Sequence, residues 1–418
     1  MRHKSIKLSH ASKTIGGMVQ LTGSKSESNR ALIIQAISKG RVAIENLSEA
    51  DDTLLINRAL QLASEPSQQQ QTIDIGPAGT AMRFMTSYLS LIPSEFILTG
   101  SQRMQQRPIG VLVDALRSLG ADISYQKNEG YPPLHIKGGA IDSKNTVNIP
   151  GNISSQYISS LLLIASELKN GLRLQITGEL TSRPYVTMTL NMLAEAGIAH
   201  NWQDNLIEIL PQQHKPTTLY IEPDWSAASY WYAMVALSEK ATILLPGLKK
   251  NSLQGDIAIA DIMSHFGVKT TFQEKGILLE KTAINTTKEL FDLKECPDLA
   301  QTVIVVAAAL KINVAFCGLE TLKIKETDRI AALQKEIGKF GAQLTQQTGT
   351  EIYHVQTDQV DLNQPICIET YEDHRMAMAF APLALVMNQV EILEPQVVEK
   401  SYPMFWDHLT EQGFQITE

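Results

Sequence analysis

Three cysteines in 418 residues, Cys296, Cys317 and Cys367, are too few and too scattered for a disulfide framework, and no CxxC or His/Cys spacing offers a structural zinc site. A reducing cytoplasm suits them. A surplus of positive charge is also missing: 36 Lys and Arg against 44 Asp and Glu leave a formal charge of −8, which speaks against a nucleic-acid or anionic-membrane partner. Any anion site must therefore be concentrated locally. Long apolar runs are absent as well, because the start "MRHKSIKLSHASKTIGG" is no signal peptide and the best run, Val303 to Leu310, is too short to span a bilayer. No export and no membrane span are expected. What is plentiful is apolar content, 44% of the chain, over a length that accommodates two or three domains with a large core.

The segment "GSKSESNR", Gly23 to Arg30, suggests a phosphate loop but fails the pattern, because Ser24 stands before Lys25 where a glycine is required. The alternative is a helix N-terminus capped by Ser28 or Asn29. Its free N–H groups, with Lys25 and Arg30, could grip an anion; equally, it could be a capped helix with solvated charges.

Self-similarity organises the rest. "LVDALRSLGADI", "TMTLNMLAEAGIA", "AIADIMSHFGVKT", "ALQKEIGKFGAQL" and "MFWDHLTEQGFQI" each read as amphipathic helix, glycine, strand, and their glycines at 120, 197, 267, 341 and 413 recur every 70 to 77 residues. Each glycine suits a left-handed helix stop. A degenerate first copy, around "TLLINRALQLA", makes six. Ahead of each copy lies a more apolar helix: "SNRALIIQAI", "GTAMRFMTSYL", "SSQYISSLLLIA", "SAASYWYAMVAL", "DLAQTVIVVAAAL" and "DHRMAMAFAPLAL". Helices apolar on nearly every face belong inside a domain. With the short strands that follow, the pattern predicts an α/β protein of six βαβαββ-like units, split three and three. Its first domain would run over 23–222, and its second would combine 1–22 with 223–418, provided that the first two strands pair with the C-terminal half.

Polar residues gather at the starts of the apolar helices. Arg30, Arg83, Arg329 and Arg375 fall in or near predicted first turns, where the helix dipole disfavours a cation by about 1 kcal/mol or less. A bound anion would reverse that preference. In "KIKETDR", Thr327 is the expected cap, with Lys325 and Glu326 in the loop before it, while "GNISSQYISS" presents Ser154, Ser155 and Gln156 as neutral donors.

The ordered segments "GSKSESNRAL", "AGTAMR", "RPIGVLVDALRSLGA", "ISSQY", "NSLQGDI", "KETDR" and "DHRMAMAFA" cover nearly the whole chain, which on them resembles the enolpyruvyl transferase family, most closely its shikimate 3-phosphate branch. The resemblance implies two similar domains of three units each, an inside-out α/β barrel arrangement with the active site in the interdomain cleft. It implies transfer of the enolpyruvyl group of phosphoenolpyruvate to the 5-hydroxyl of shikimate 3-phosphate, with no metal or organic cofactor, by a cytoplasmic monomer. By the same resemblance Lys25, Ser26, Arg30, Ser154, Ser155, Gln156, Ser182, Asp298, Thr321 and Lys325 would hold shikimate 3-phosphate. Lys25, Gly79, Arg107, Gln156, Arg329, Arg375 and Lys400 would hold phosphoenolpyruvate.

Asp298 matches the group that takes the hydroxyl proton, Glu326 the acid that protonates the methylene carbon, and Lys25 touches both substrates as a third catalytic candidate; His374 could assist. Two acids set among cations need opposite protonation states. Pro77 and Thr321 stand where the family usually has asparagine, and Phe84 where proline is common. The sister branch acting on UDP-N-acetylglucosamine carries Lys-Asn and a reactive loop cysteine, whereas this chain has Lys25-Ser26 and no cysteine before Cys296. A non-catalytic anion-binding protein would gain nothing from acids at 298 and 326.

Overall fold

The computed structural model describes residues 5–65, 69–139, 141–285 and 287–418. Twelve α-helices are described: α1 (Lys25–Ile37), α2 (Asp51–Ser64), α3 (Gly79–Leu89), α4 (Gly110–Leu119), α5 (Ser155–Ile164), α6 (Arg183–Glu195), α7 (Trp225–Leu237), α8 (Ile259–Ser264), α9 (Ala300–Ala309), α10 (Arg329–Gly338), α11 (His374–Phe380) and α12 (Phe405–Glu411). Odd-numbered helices are the apolar ones. All ten residues of α9 and all seven of α11 are buried, and α7 exposes part of Ser226 alone, so these three form the centre of one core. Even-numbered helices bury one face, as α4 does through Leu112, Val113, Ala115, Leu116 and Leu119.

The repeat closes as the sequence predicts. Each of the five regularly spaced glycines adopts positive φ, from +79° at Gly267 to +113° at Gly120, and a Cβ at Gly341 would lie 2.0 Å from the Gln359 carbonyl oxygen. Around α3, α5, α7, α9 and α11 two strands run parallel, and two antiparallel strands complete each sheet. In the second copy, Gln71–Asp74 pairs parallel with Glu95–Thr99 across α3, and Leu134–Lys137 then pairs antiparallel with both Glu95–Thr99 and Asp122–Tyr125. Five sheets have four strands and the first copy's has two, Val42–Glu45 with Thr217–Tyr220.

The chain's first strands serve its last sheets. Ser5–Ser9 pairs with both Val390–Leu393 and Gln415–Thr417, and Thr14–Met18 pairs with Lys240–Pro246. Two compact units result, one of Gly23–Ile221 and one of both chain ends, up to Thr22 and from Glu222. At the crossover Gly23 permits a close approach that no side chain would survive, since its Cβ would stand 2.0 Å from the Asn46 carbonyl oxygen.

Candidate active site

In the unit built from both chain ends, the polar residues sit at helix starts. Asp298 lies in the 3-10 turn Pro297–Leu299 that leads into α9, and Lys400 closes the 3-10 turn Pro395–Lys400. The cap of α10 is Asp328 and not Thr327: its carboxylate accepts from the N–H groups of Ile330 and Ala331, both at 3.1 Å, and the helix begins at Arg329. Asp373 caps α11 by accepting from the N–H of Arg375 at 2.9 Å. Arg329 and Arg375 thus stand in true first turns.

Arg329 is the hub. It is 1% exposed, and its Nε donates to Asp373 Oδ2 at 2.7 Å, Nη1 to Asp298 Oδ1 at 3.0 Å and Nη2 to Glu326 Oε2 at 3.0 Å. One planar guanidinium thereby holds both candidate catalytic acids at fixed positions. Lys400 donates to the other oxygen of Glu326 at 3.0 Å. Arg375 donates to Asp298 Oδ2 at 2.8 Å and to the Tyr230 hydroxyl at 3.3 Å, while Lys325 lies 3.6 Å from Asp298 Oδ1. Burial opposes ionisation of Asp298, but Arg375, then Lys325 and Arg329, outweigh it and hold the carboxyl well below the usual carboxylate range. Asp298 is therefore an ionised acceptor. The structure brings six expected residues, Asp298, Lys325, Glu326, Arg329, Arg375 and Lys400, into one network. Thr321 stands outside it, in the 3-10 turn Glu320–Ile324 with a buried hydroxyl lacking a hydrogen-bond partner. His374 is buried, its Nδ1 3.7 Å from Asp373 Oδ1.

In the Gly23–Ile221 unit, the expected residues gather at the starts of α1, α3 and α5. Ser24 caps α1, not Ser28 or Asn29, so the helix begins at Lys25 and Arg30 falls in its second turn, as Arg83 does in α3. Lys25 Nζ lies 3.3 Å from Asp52 Oδ2. Arg30 is 2% exposed and donates to neutral groups: Thr189 Oγ1 at 2.7 Å, the Ser26 carbonyl at 2.8 Å, Ser159 Oγ at 3.1 Å and the Tyr185 carbonyl at 3.3 Å. Burial lowers its pKa to about 10. Gly79, the first residue of α3, faces the Arg107 guanidinium so closely that a Cβ would lie 2.5 Å from Nη1. Ser154 caps α5, and Gln156 Nε2 donates to Thr80 Oγ1 at 3.2 Å. Ser155 is buried. Ser182 precedes α6 with φ +54°, a left-handed conformation rare outside glycine and asparagine, and its side chain does not cap the helix. Phe84 continues α3 without a break and lies under the Arg30 guanidinium, 5.4 Å from its ring centre.

Sequence reasoning missed the residues that hold the cations. The sequence does not single out Asp52 for Lys25, Ser226 and Tyr230 for Arg375, or Asp373 for Arg329; the available signal for Asp373 is its place before an arginine at a helix start.

The sequence model of the family described as EPSP synthase (3-phosphoshikimate 1-carboxyvinyltransferase) matches residues 10–409. The chain belongs to the EPSP synthase family. A 3-phosphoshikimate 1-carboxyvinyltransferase from Bacteroides fragilis is 47% identical over 407 residues, covering 97% of each chain. One from Haemophilus influenzae is 36% identical, covering 94% of this chain and 95% of its own. Among solved structures, an EPSP synthase from Acinetobacter baumannii superposes with a TM-score of 0.78 at 21% identity, covering 99% of this chain and all of the other. That likeness establishes the fold, the inside-out barrel architecture that the resemblance implied. As a member of the EPSP synthase family this chain is a transferase of aromatic amino acid biosynthesis, as the resemblance of its motifs implied.

Proposed function

We propose that the enzyme transfers the enolpyruvyl group of phosphoenolpyruvate to the 5-hydroxyl of shikimate 3-phosphate on the network centred on Arg329. The observation that carries this reading is the guanidinium shared by Asp298 and Glu326, because it fixes a base and an acid on one rigid element. Asp298 accepts the proton of the attacking hydroxyl. Glu326 delivers a proton to the methylene carbon of phosphoenolpyruvate, so that the hydroxyl oxygen bonds to the neighbouring carbon and a tetrahedral intermediate forms. The Glu326 carboxylate left by that transfer then takes a proton back from the new methyl group as the C–O bond to phosphate breaks, which restores the enol double bond on the product, and the departing phosphate carries away the proton held on Asp298.

Lys325 and Asp298 meet shikimate 3-phosphate in this reading, as do Thr321 and, from the Gly23–Ile221 unit, Lys25, Ser26, Arg30, Ser154, Ser155, Gln156 and Ser182. Arg329, Arg375 and Lys400, with Lys25, Gly79, Arg107 and Gln156, meet phosphoenolpyruvate. Anion binding also answers the low pKa of Asp298. A carboxylate held far down is a weak base, but phosphate and carboxylate groups that draw on Arg375 and Lys325 raise it toward the pH of catalysis. The enzyme acts as a cytoplasmic monomer without metal or organic cofactor, which suits its three free cysteines.

Phosphate release from phosphoenolpyruvate, with shikimate 3-phosphate or UDP-N-acetylglucosamine as acceptor, tests this. Release with the first acceptor alone is expected. Release with the second, or binding of both anions without turnover, overturns it.

A further inference from the structure

Asp256 has no place in the scheme above, yet it is joined to it. It lies in the 3-10 turn Gly255–Ala258 before α8, 3% exposed, where Oδ2 accepts a hydrogen bond from Ser226 Oγ on α7 and Oδ1 is buried with no hydrogen-bond partner. Ser226 Oγ also lies 3.4 Å from Arg375 Nη2, the atom that donates to Asp298 at 2.8 Å. Carboxyl, hydroxyl, guanidinium and catalytic carboxylate are thus strung in sequence.

Ionising a buried carboxyl with one bare oxygen is costly. Burial, reinforced by the charge of Asp298, pushes Asp256 up to about 7, while Arg375 and the Ser226 hydroxyl act against them and Asp224, the cap of α7, adds to the rise. The Cys296 thiol nearby is itself driven upward, first by burial and then by Asp256, so it remains neutral. Asp256 is thus held far above the ordinary carboxylate range, beside the guanidinium of Arg375.

We propose that Asp256 is a positioning residue for the phosphoenolpyruvate site: protonated, it leaves the charge of Arg375 to Asp298 and the substrate, and ionised, it competes for that charge through Ser226. The proposal rests on the reading of Arg375 as a phosphoenolpyruvate contact. The direction follows directly. As pH rises the proton leaves Asp256, a negative charge appears beside Arg375, and affinity for an anionic substrate falls. Through an effective dielectric near 20, such a charge weakens binding by roughly threefold to tenfold.

The test compares KM for phosphoenolpyruvate in wild type and Asp256→Asn between about pH 6 and 8, the range that brackets the titration. Taking the ratio of the two enzymes removes the titration of the substrate itself. The ratio of wild-type KM to variant KM is expected near unity at the acid end, rising by roughly threefold to tenfold at the alkaline end. A ratio constant across that range overturns the proposal, because a merely structural role would shift KM equally at every pH.

Ser226→Ala provides a second arm should the first variant fold poorly. Removing the hydroxyl takes away both the link to Arg375 and a hydrogen bond that favours the ionised form, so the rise in KM shrinks and moves to higher pH; a profile identical to wild type is the contrary result. Arg375→Gln separates the two failures. If it leaves KM unchanged, the placement of phosphoenolpyruvate is wrong, whereas a raised KM with an unaltered Asp256→Asn profile defeats the role of Asp256 alone.

Discussion

Two buried arginines, one in each compact unit, show opposite electrostatics. Arg329 is packed among Asp373, Asp298 and Glu326, whose charges outweigh burial and raise its pKa above an already high ordinary value. Arg30 is just as deeply buried but meets hydroxyls and carbonyls, and burial, only partly offset by Tyr185 and Glu27, lowers its pKa to about 10. The first is a compensated charge that organises acids. The second is a weakly compensated charge, in an environment that an incoming phosphate would improve. On the proposed function the first holds reacting acids in place and the second awaits an anionic group, within one repeated fold.

The largest effect that sharpens this division falls on Glu326. Glu326→Gln keeps size and polarity but removes the transferable proton, so turnover is expected to drop by about 10²–10⁴, the range for loss of a general acid. Affinity for shikimate 3-phosphate changes little. In heavy water the wild type washes deuterium into the methylene group during turnover and the variant does not. Turnover within about tenfold of wild type assigns Glu326 to charge balance with Arg329 and Lys400, and moves the acid role to Lys25 or His374.

Next in size is the stability of the charged hub. Asp373→Asn leaves Arg329 with two partially exposed partners, Asp298 and Glu326, and removes the fully buried acid that holds its Nε, at an expected cost of about 3–5 kcal/mol. Arg30→Met breaks the comparison if the account is wrong. It takes a donor from the Thr189 and Ser159 hydroxyls, which keep each other and the Tyr185 carbonyl as partners, at a cost of about 0.5–1.5 kcal/mol, and it removes a buried charge. Denaturant unfolding of both variants settles the order: Arg30→Met equal to or worse than Asp373→Asn contradicts the contrast between compensated and weakly compensated sites. Arg30→Met also loses affinity for shikimate 3-phosphate, which Asp373→Asn does to a smaller degree.

Much of the fold was legible because its signals are local and repeated. Apolar helices such as α9 and the periodic glycines from Gly120 to Gly413 each declare their element within a dozen residues. The placement of the first strands was left open by the sequence, since pairing Ser5–Ser9 with Val390–Leu393 depends on contacts across almost the whole chain. Cap positions were misread for a different reason. "GSKSESNR" and "KETDR" each offer several short polar side chains, and the cap is whichever oxygen reaches the free N–H groups, which proved to be those of Ser24 and Asp328. The partners of the cations were hidden by distance along the chain: Asp373 is 44 residues from Arg329, and Tyr230 is 145 from Arg375.

The smallest expected effect lies in the Gly23–Ile221 unit, at Gly79. Replacing it by alanine puts a methyl carbon 2.5 Å from Arg107 Nη1 and 3.1 Å from its Cζ, closer than atoms tolerate. The obstacle is the far end of a flexible side chain, so the guanidinium moves and the helix does not. Gly79 opens α3, where an added methyl group disturbs no backbone hydrogen bond, and global stability should stay within about 0.5 kcal/mol of wild type. Displacement of Arg107 weakens its hold on an anion instead. KM for phosphoenolpyruvate is expected to rise by roughly tenfold, the low end of what one methyl group achieves in a binding pocket. Competitive inhibition by glyphosate, the inhibitor of this family, is expected to weaken in the same variant. If KM and inhibition are both unchanged while the thermal midpoint falls, Gly79 serves packing alone and Arg107 plays no part in holding the substrate.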